Sequence, residues 1–459
     1  MWFRNVLASL LGLSLALAPA PAPAQAKKPA KRPLTRLFLQ DEKSTTLKWL
    51  DVRQAADGKL SLSPLVSIEG FPKLDPAKQK LVQMRESNGL LVVGVRDNND
   101  GKDQSGWVLV RTGVGYTDHG DHGHWDFKKK PVVIDSRLDD KQGNPAHVYV
   151  YDGKFYLAND KLNGYTRLDP NKYEGDNKDT PRFLVGGGNH ITLAVVADKV
   201  GYSAWIDGGG PNKGRVDVTP VTDATKTEPA YSFHLPVGGI HGAIANSGKV
   251  FFAPAEGICW VEADLLLKRK PEEVKVHRLD LGKDDDKPRR TGAFVNYKNY
   301  VLFVTGKEAS AALVLLEAKA DEPKPISLPL NVKKGCRALT PAIVTTPEGK
   351  TYALVFHDHA SGVAVEDALQ IFDLDPNGDN DCSDAKLVKT LTVGNSAVEG
   401  HFGHHDVAFD ADGRYAFFTN PGDGTLSVLS LKTLEIVQTL PIGGRPGAIV
   451  ARGGIETDD

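Results

Sequence analysis

Sulfur-containing residues are scarce in this chain. Of its 459 residues, three are cysteine and two are methionine. No two cysteines are spaced as C-x-x-C, which argues against a thiolate metal site or a redox pair. The shortage of methionine argues in the same way against a thioether site for Cu(I). Any metal chemistry must therefore come from histidine and carboxylate.

The three cysteines are predicted to be of two kinds, one buried thiol and one disulfide-bonded pair. Cys259 lies in an apolar stretch beside Trp260 and reads as a small buried hydrophobe. Cys336 and Cys382 lie in polar, loop-like sequence, and in an oxidising compartment they are the pair we expect to form a disulfide.

An excess of charge of one sign is also absent. Lys and Arg number 56 against 58 Asp and Glu, a formal net charge of -2. Nothing therefore points to nucleic acid or to an anionic membrane surface as a partner. Beyond the amino terminus, no apolar run approaches the length of about eighteen residues that crosses a bilayer. We expect no membrane insertion.

The amino terminus reads as an export signal. Arg4 precedes an apolar run over residues 6–18, and Ala24-Gln25-Ala26 is typical of a cleavage site. These features predict a signal peptide over residues 1–26 and a mature protein in a bacterial periplasm, with a retained membrane anchor as the alternative. Residues 27–33 are basic and proline-containing, and they predict a disordered linker.

The remaining chain consists of short apolar or alternating runs separated by Gly, Asp, Asn and Pro, which predicts an all-β protein. Its clearest repeat places four strand-like runs at residues 405–409, 414–419, 425–431 and 435–441. Four antiparallel strands joined by tight turns are typical of a propeller blade. We therefore predict one β-propeller over residues 34–454, with a loose tail over 455–459.

The two ends of the chain predict how the propeller closes. Residues 445–451 look like the innermost strand of a blade, and no sequence for its outer strands follows. Those strands are available near the amino terminus, from residue 36 onward. A blade shared by both ends removes an exposed sheet edge. Counting inner strands then gives eight blades, with seven as the alternative.

A dense group of metal-binding residues occurs once, in one predicted loop. Three imidazoles and two carboxylates fall within seven residues, and the sequence there is Asp118-His119-Gly120-Asp121-His122-Gly123-His124. A loop gathers such a set more easily than a strand, whose side chains alternate between faces. The segment predicts a metal-binding loop, and a solvated polar loop is the alternative.

Other histidines recur at one position of the repeat, where the chain turns into the first strand of a blade. They are His147, His190, His241 and His405, and His404 adds a neighbouring donor. First strands line the channel of a propeller, so we expect these side chains to meet around one mouth. Hydrogen-bonded turn histidines are the alternative. Glu399, His401 and Asp406 are candidate ligands or partners of ligands.

A ligand set of imidazole with some carboxylate suits Zn(II). Cu(II) or Ni(II) could also bind to it, judged by affinity alone. The sequence thus predicts two zinc sites, one in the loop and one at the channel. The loop could fold over the histidine mouth or remain free in solution. Two weaker candidates are chelation by His357 and His359, and a calcium loop over residues 375–386, where a polar turn is favoured.

Two resemblances add to these observations. Residues 405–446 resemble the YVTN-type propeller repeat through 407–414 and 425–431. The loop motif ending in Trp125, with Ile240-His241-Gly242 and His404-His405-Asp406, resembles the periplasmic zinc metallochaperones of bacterial ABC-type zinc importers. This resemblance implies His119, His122 and His124 as flexible-loop ligands, and the channel histidines as a second site.

The second resemblance also implies a function. It implies a monomeric, non-enzymatic protein that binds zinc in the periplasm and passes it to the zinc-specific solute-binding protein of an importer. Two alternatives stay open at this point. One is a propeller enzyme with a histidine-ligated redox metal at the channel mouth, and the other is a protein-interaction propeller.

Overall fold

A computed structural model describes residues 32–55, 58–120, 123–173, 178–223 and 225–454. The predicted signal peptide, residues 27–31 of the linker, Asp121, His122 and the 455–459 tail lie outside the described residues. Among the described residues, no helix is long and apolar enough to cross a membrane.

The chain forms eight blades in sequence order, and each blade is an antiparallel sheet. Outer strands of blade 1 are β1 (Pro33–Asp41), β2 (Thr46–Gln54), β3 (Leu60–Leu62) and β4 (Val66–Ser67). Blade 2 contains β5 (Gln79–Ser87), β6 (Leu90–Asp97), β7 (Ser105–Arg111) and β10 (Val132–Asp139), and its β7–β10 connection carries a hairpin of β8 (Gly115–Asp118) and β9 (Gly123–Asp126).

Blades 3 to 5 follow without interruption. Blade 3 contains β11 (Pro145–Tyr151), β12 (Lys154–Asn159), β13 (Gly164–Leu168) and β14 (Arg182–Val185). Blade 4 contains β15 (Thr192–Val196), β16 (Val200–Ala204), β17 (Arg215–Pro220) and β18 (Tyr231–His234). Blade 5 contains β19 (Gly242–Asn246), β20 (Lys249–Ala253), β21 (Ile258–Glu262) and β22 (His277–Leu279), and a hairpin of β23 (Lys283–Asp284) and β24 (Lys287–Pro288) follows it.

Blades 6 to 8 and the last strand complete the ring. Blade 6 contains β25 (Val295–Tyr297), β26 (Tyr300–Thr305), β27 (Ala312–Glu317) and β28 (Pro325–Pro329). Blade 7 contains β29 (Cys336–Ala338), β30 (Ala342–Thr345), β31 (Thr351–His359), β32 (Ala368–Asp373) and β33 (Lys386–Thr392). Blade 8 contains β34 (Val407–Phe409), β35 (Tyr415–Asn420), β36 (Thr425–Ser430) and β37 (Glu435–Pro441), and β38 (Pro446–Arg452) returns to blade 1. Short 3-10 helices lie at Asp160–Leu162, Pro170–Lys172, Pro271–Glu273, Glu308–Ser310 and Cys382–Asp384.

The ring closes through blade 1, which both ends of the chain build. The carboxyl-terminal β38 is its innermost strand and pairs antiparallel with β1, with Leu37 opposite Ala451. Strand alternation then sends Leu37 and Leu39 toward blade 8 and Phe38 toward blade 2. This arrangement confirms the predicted all-β fold, the eight blades and the closing blade shared by the two termini.

The hydrophobic core is divided into eight clusters, one between each pair of neighbouring blades. The cluster between blades 6 and 7, for example, packs Leu302 and Leu315 against Val355 and Phe372. Because every blade buries both faces, its second and third strands are almost continuously apolar. The core therefore forms a ring around the channel, which leaves the channel ends free for polar residues.

The predicted disulfide is wrong, because all three cysteines are free thiols. Cys336 begins β29, the innermost strand of blade 7, whereas Cys382 lies in the 3-10 helix before the outermost strand. The two cysteines therefore belong to opposite edges of one blade, Cys336 on its innermost strand and Cys382 just before its outermost strand. Cys259 is fully buried, as expected for a small hydrophobe.

Candidate metal centre

Three of the repeated histidines converge where the inner strands begin. His147 is near the start of β11, His190 just precedes β15, and His241 just precedes β19. The Nε2 atoms of His147 and His190 are 3.0 Å apart. The ring of His241 has its centroid 5.1 Å from that of His190 and 6.4 Å from that of His147. Three successive blades thus supply one imidazole each to one mouth of the channel.

The turn before His190 shows how the sequence fixes one of these side chains. His190 N–H donates to the Gly188 carbonyl oxygen across 2.8 Å, which makes a tight turn into β15. A Cβ atom at Gly188 would lie 2.2 Å from the Trp205 ring, so only glycine fits there. Gly187 has a φ of +74°, a conformation that glycine adopts without strain. The glycine run is thus a blade turn that aims His190 at the channel.

Neighbouring groups hold the outer nitrogen of each ring. His190 Nδ1–H donates to Asp160 Oδ2 at 3.1 Å, and His241 Nδ1–H donates to the Gly292 carbonyl oxygen at 3.1 Å. These acceptors leave the Nε2 lone pair of both rings available to a metal.

His147 is held in the opposite tautomer. The Gln83 Nε2 amide lies 3.2 Å from its Nδ1, and the Gln83 oxygen already accepts from Val148 N–H at 3.0 Å. The amide therefore donates to Nδ1, so the proton of His147 is on Nε2 and is donated to His190. Binding a metal through Nε2 of His147 requires the proton to move to Nδ1 and the Gln83 amide to turn its oxygen toward that nitrogen.

The electrostatic environment favours the neutral form of His147 and His241. Burial, followed by the neighbouring charges of His190 and His241, holds the pKa of His147 well below its usual value. Burial also lowers the pKa of His241, against the hydrogen bond to Gly292. A neutral imidazole is the form that binds a metal, and Nε2 ligands of a tetrahedral zinc ion are separated by roughly 3.3 Å. The donor types present therefore suit Zn(II), although among the described residues only Asp358, Asp367 and His405 place three ligand atoms within 4.8 Å of one another.

A loop of residues 394–406, here called the capping loop, connects β33 to β34 and brings His401 to the same mouth. His190 and His404 both contribute to lowering the pKa of His401, although burial is the largest cause. The loop is fastened by Arg445, which pairs with Glu399 at 3.1 Å and donates to the Ala397 carbonyl oxygen at 2.7 Å. His401 is thus a candidate fourth ligand from outside the repeat.

His404 and His405 lie at the end of the capping loop and share one carboxylate. The Asp358 side chain accepts from Nδ1 of His404 at 2.9 Å and from Nδ1 of His405 at 2.7 Å. His405 also donates through Nε2 to the Gly394 carbonyl oxygen at 2.9 Å, so both of its nitrogens are occupied. His404 keeps Nε2 for a ligand, whereas His405 fastens the loop.

The charges around His405 agree with that role. Burial alone would lower the pKa of His405, but the hydrogen bond and charge of Asp358 raise it overall. Ligand atoms of Asp358, Asp367 and His405 all lie within 4.8 Å of one another, and all three residues are buried. The group could hold an ion only if its internal hydrogen bonds broke. We interpret it as an anchor for the capping loop.

The histidine hairpin, β8 and β9, lies at the opposite face of the propeller. Inner strands begin at the histidine mouth, whereas the hairpin contacts the end of inner strand β38, where Arg452 lies over the Trp125 ring at 5.6 Å. The hairpin therefore does not fold over the histidine mouth. Seven residues of a strand such as β11 span about 20 Å, which separates the two regions.

Two of the predicted loop ligands lie near each other in the hairpin. The ring centroids of His119 and His124 are 5.1 Å apart, and Asp118 accepts from Gly120 N–H at 2.8 Å. Asp118 and His119 are exposed and His124 is half-buried. Asp121 and His122 lie outside the described residues.

Sequence reasoning missed the residues that position the histidines. Asp160 follows the second strand of blade 3 and Asp358 ends the second strand of blade 7, and each reaches histidines of the following blade. An acid at this repeated position is a signal that the sequence does contain. Gln83 gives no such signal, because its role depends on a bulge in β5.

The weaker sequence candidates occupy other positions. His357 is 3% exposed and its Nε2 has no hydrogen-bond partner, and burial lowers its pKa to about 4. His359 donates to Asp367 at 2.8 Å instead of pairing with His357. In the 375–386 segment, the Asp375 and Asn377 side chains accept from backbone N–H groups of the same turn, as in a polar turn.

Comparisons with known proteins support the fold. AztD from Citrobacter koseri, in an apo structure and a second crystal structure, matches with a TM-score of 0.61 and 14% sequence identity, covering 93% of this chain and 99% of that one. The dihydro-heme d1 dehydrogenase NirN matches with a TM-score of 0.54 and 15% identity, covering 93% and 77%. At these identities the likeness shows the fold alone. No protein-family model and no curated protein matches the sequence.

Proposed function

We propose that this protein is a periplasmic zinc carrier that delivers Zn(II) to the zinc-specific solute-binding protein of an ABC importer. One observation carries the proposal: three imidazoles from successive blades meet at one mouth, with two Nε2 atoms 3.0 Å apart. The loop motif's resemblance to periplasmic zinc metallochaperones supports it, as does the full-length likeness in fold to AztD.

The chemistry of the mouth suits a cargo ion that must leave again. His190 and His241 offer Nε2 lone pairs that Asp160 and the Gly292 carbonyl orient. The proton of neutral His147 must move from Nε2 to Nδ1 before this ring binds, so uptake of zinc requires a change of tautomer and no net release of a proton. Imidazoles can be exchanged one at a time for ligands on an acceptor, so transfer needs no covalent step. We propose carriage of zinc, not catalysis.

We propose distinct roles for the two faces. The hairpin presents His119 and His124 near the surface and would exchange zinc quickly. The mouth holds its histidines on the ends of rigid strands and under the capping loop, and would keep zinc longer. The direction of zinc transfer between the two sites depends on which face contacts the acceptor protein.

The experiment is metal analysis of the mature protein purified from a periplasm. We expect two equivalents of zinc, one lost on replacing His119, His122 and His124 by Ala, and the other lost in His190→Ala/His241→Ala. His234→Ala is the matched control, because His234 is an exposed strand histidine that contacts the Lys213 carbonyl. Zinc retained in full by a protein lacking both sets would contradict the proposal.

A transfer assay tests the delivery step. The zinc-loaded protein should transfer its metal to the apo solute-binding protein faster than it transfers metal to a chelator of equal affinity. A redox enzyme would behave differently, since a copper or iron site at these histidines would absorb visible light, and zinc does not. Colour that persists in the purified protein would favour the enzyme alternative.

A further inference from the structure

Three guanidinium groups surround the histidine mouth, which is an unusual setting for a cation. Arg96, at the end of β6, donates to Asp160 Oδ2 at 3.2 Å, and the same oxygen accepts from His190 at 3.1 Å. Arg290 donates to the Gly239 carbonyl oxygen at 3.3 Å, two residues before His241. These contacts place two positive charges beside two of the candidate metal ligands.

A third guanidinium lies across the mouth. Arg337, in β29, is the cross-strand neighbour of Asp358 in β31, and Asp358 holds His404. The charge of Arg337 is also one of the causes that lower the pKa of His401. Arg337 is exposed, as is Arg290. Positive groups from blades 2 and 7 and from the segment before blade 6 therefore face the same histidines.

The nearby carboxylates balance only one of these charges, that of Arg96, which pairs with Asp160. Asp160 is 2% exposed and Asp358 1% exposed, and both are engaged by histidines. Glu399 pairs with Arg445. Among the described residues, Arg290 and Arg337 form no ion pair with a carboxylate. Partial loss of solvent around its guanidinium group lowers the pKa of Arg290.

Electrostatics gives this arrangement a consequence. A divalent cation bound by neutral imidazoles would be repelled by Arg290 and Arg337, because Asp160, Asp358 and Glu399 are already engaged by other groups. An external anion would relieve that repulsion twice, by binding the metal and by accepting hydrogen bonds from arginine. Arginine binds the planar carboxylate group with two parallel hydrogen bonds, which favours this anion.

We propose that the mouth is a joint site for a metal and a carboxylate, in which the carboxylate completes the coordination of the histidine-bound ion and is held by Arg96, Arg290 and Arg337. The site rests on the proposed metal-binding function. The carboxylate can come from a small organic acid or from an Asp or Glu side chain of a protein partner, and the chemistry is the same. The anion then sets how tightly the mouth keeps its cargo.

The test uses the mature protein with His119, His122 and His124 replaced by Ala, so that only the mouth binds metal. Loaded with Co(II) in a buffer free of other coordinating anions, it is titrated with acetate while its visible absorption is recorded. We expect a saturable change, and a roughly tenfold weaker apparent affinity for acetate in Arg290→Ala and in Arg337→Ala, since each removes a charged hydrogen bond. Arg278→Ala, which breaks an exposed pair with Glu256 on the outer strand of blade 5, is the control.

The arginine variants make a second, opposite prediction. Without acetate, Arg290→Ala should bind Co(II) more tightly than its parent, because a repelling charge is gone. With saturating acetate that gain should disappear. A general loss of folding cannot produce a gain of affinity in one condition only, so this crossing separates an anion site from structural damage.

The outcomes are distinguishable. Saturation by acetate supports a free carboxylate, and saturation only by a blocked peptide containing one glutamate supports a side chain of a protein partner. A bound Co(II) whose spectrum neither ligand changes, with arginine variants like the parent, overturns the anion site and leaves the metal site standing. Failure of the mouth to bind Co(II) at all overturns both.

Discussion

The histidine hairpin and the histidine mouth use the same ligand type in opposite structural settings. The hairpin is a short two-stranded ribbon in which Asp118, His119 and Gly120 are exposed, although its base is fastened. Arg36, 2% exposed, donates to the carbonyl oxygens of Lys129 and Phe127, and Arg452 lies over Trp125. At the mouth each histidine is at the end of a packed inner strand.

If both regions bind zinc as proposed, this difference predicts that affinity and exchange depend on what surrounds the imidazoles. In the mouth, a buried carboxylate or a backbone carbonyl fixes the tautomer of two rings, and burial lowers the pKa of His147 and His241. In the hairpin, two glycines and open solvent favour rapid rearrangement. If the two regions are independent, a substitution in one of them should leave zinc binding at the other unchanged.

The largest effect should follow from removing a mouth ligand. His190→Ala should weaken zinc binding at the mouth by at least about 100-fold, since a full zinc site is worth roughly 10–16 kcal/mol shared among its ligands. Competition with a chelator measures it in protein whose hairpin histidines are replaced by Ala. The same change should leave the hairpin affinity unaltered, and a parallel loss there would show that the two regions are coupled.

A smaller loss should follow from removing the carboxylate behind His190. Asp160→Asn keeps the shape of the side chain but removes the charge that orients the ring, which should cost about 10–100-fold in mouth affinity. Asp152→Asn, at the end of the channel opposite the histidines, is the matched control. If urea unfolding shifts as much as zinc affinity does, Asp160 serves folding and not the metal.

Gln83 allows a gain of function. Gln83→Glu would accept a hydrogen bond from Nδ1 of His147 and still accept from Val148 N–H, which presets Nε2 of His147 for a metal. We expect mouth affinity to rise about tenfold and release of zinc to an acceptor to slow. Titration with a fluorescent zinc indicator measures both. An unchanged or lower affinity would mean that His147 does not bind through Nε2.

The pH dependence should differ between the two regions. Burial lowers the pKa of His147 and of His241, so these rings stay neutral as pH falls through the ordinary imidazole value of about 6.5. Protons should therefore displace zinc from the mouth only below that pH. The hairpin-only protein, with His190→Ala/His241→Ala, should empty at a higher pH than the mouth-only protein. If the two proteins released zinc over the same pH range, the expected difference between the hairpin and the mouth would be wrong.

The smallest effect should come from the base of the hairpin. Trp125→Ala removes the contact with Arg452 and a ring contact with Tyr116, whose centroid is 4.6 Å away. We expect a loss of about 1 kcal/mol or less in the free energy of unfolding, as for a partly exposed cation–π pair. Zinc exchange at the hairpin should become faster. Calorimetry measures the stability, and stopped-flow mixing measures the rate of zinc exchange. Slower exchange in Trp125→Ala would contradict the expected role of the hairpin base.

Much of the fold could be predicted because its repeat is local. The turn at residues 410–413, the alternation in β34 to β37 and the solitary inner strand at the carboxyl terminus were enough to predict blades and their closure. The predicted disulfide was wrong because Cys336 begins the innermost strand of blade 7 whereas Cys382 lies in the 3-10 helix before its outermost strand, and loop-like sequence does not reveal that separation.

For the candidate site, the sequence by itself determined which residues carry the chemistry and where they recur: a histidine at the entry of successive blades, and a dense histidine loop. Only the tertiary structure decided what they can do. Whether a ring offers a lone pair depends on groups distant in the chain, such as Gln83 for His147 and Asp358 for His405. Local sequence can repeat a side chain around a ring, but only the packed ring sets its tautomer, its charge and its neighbours.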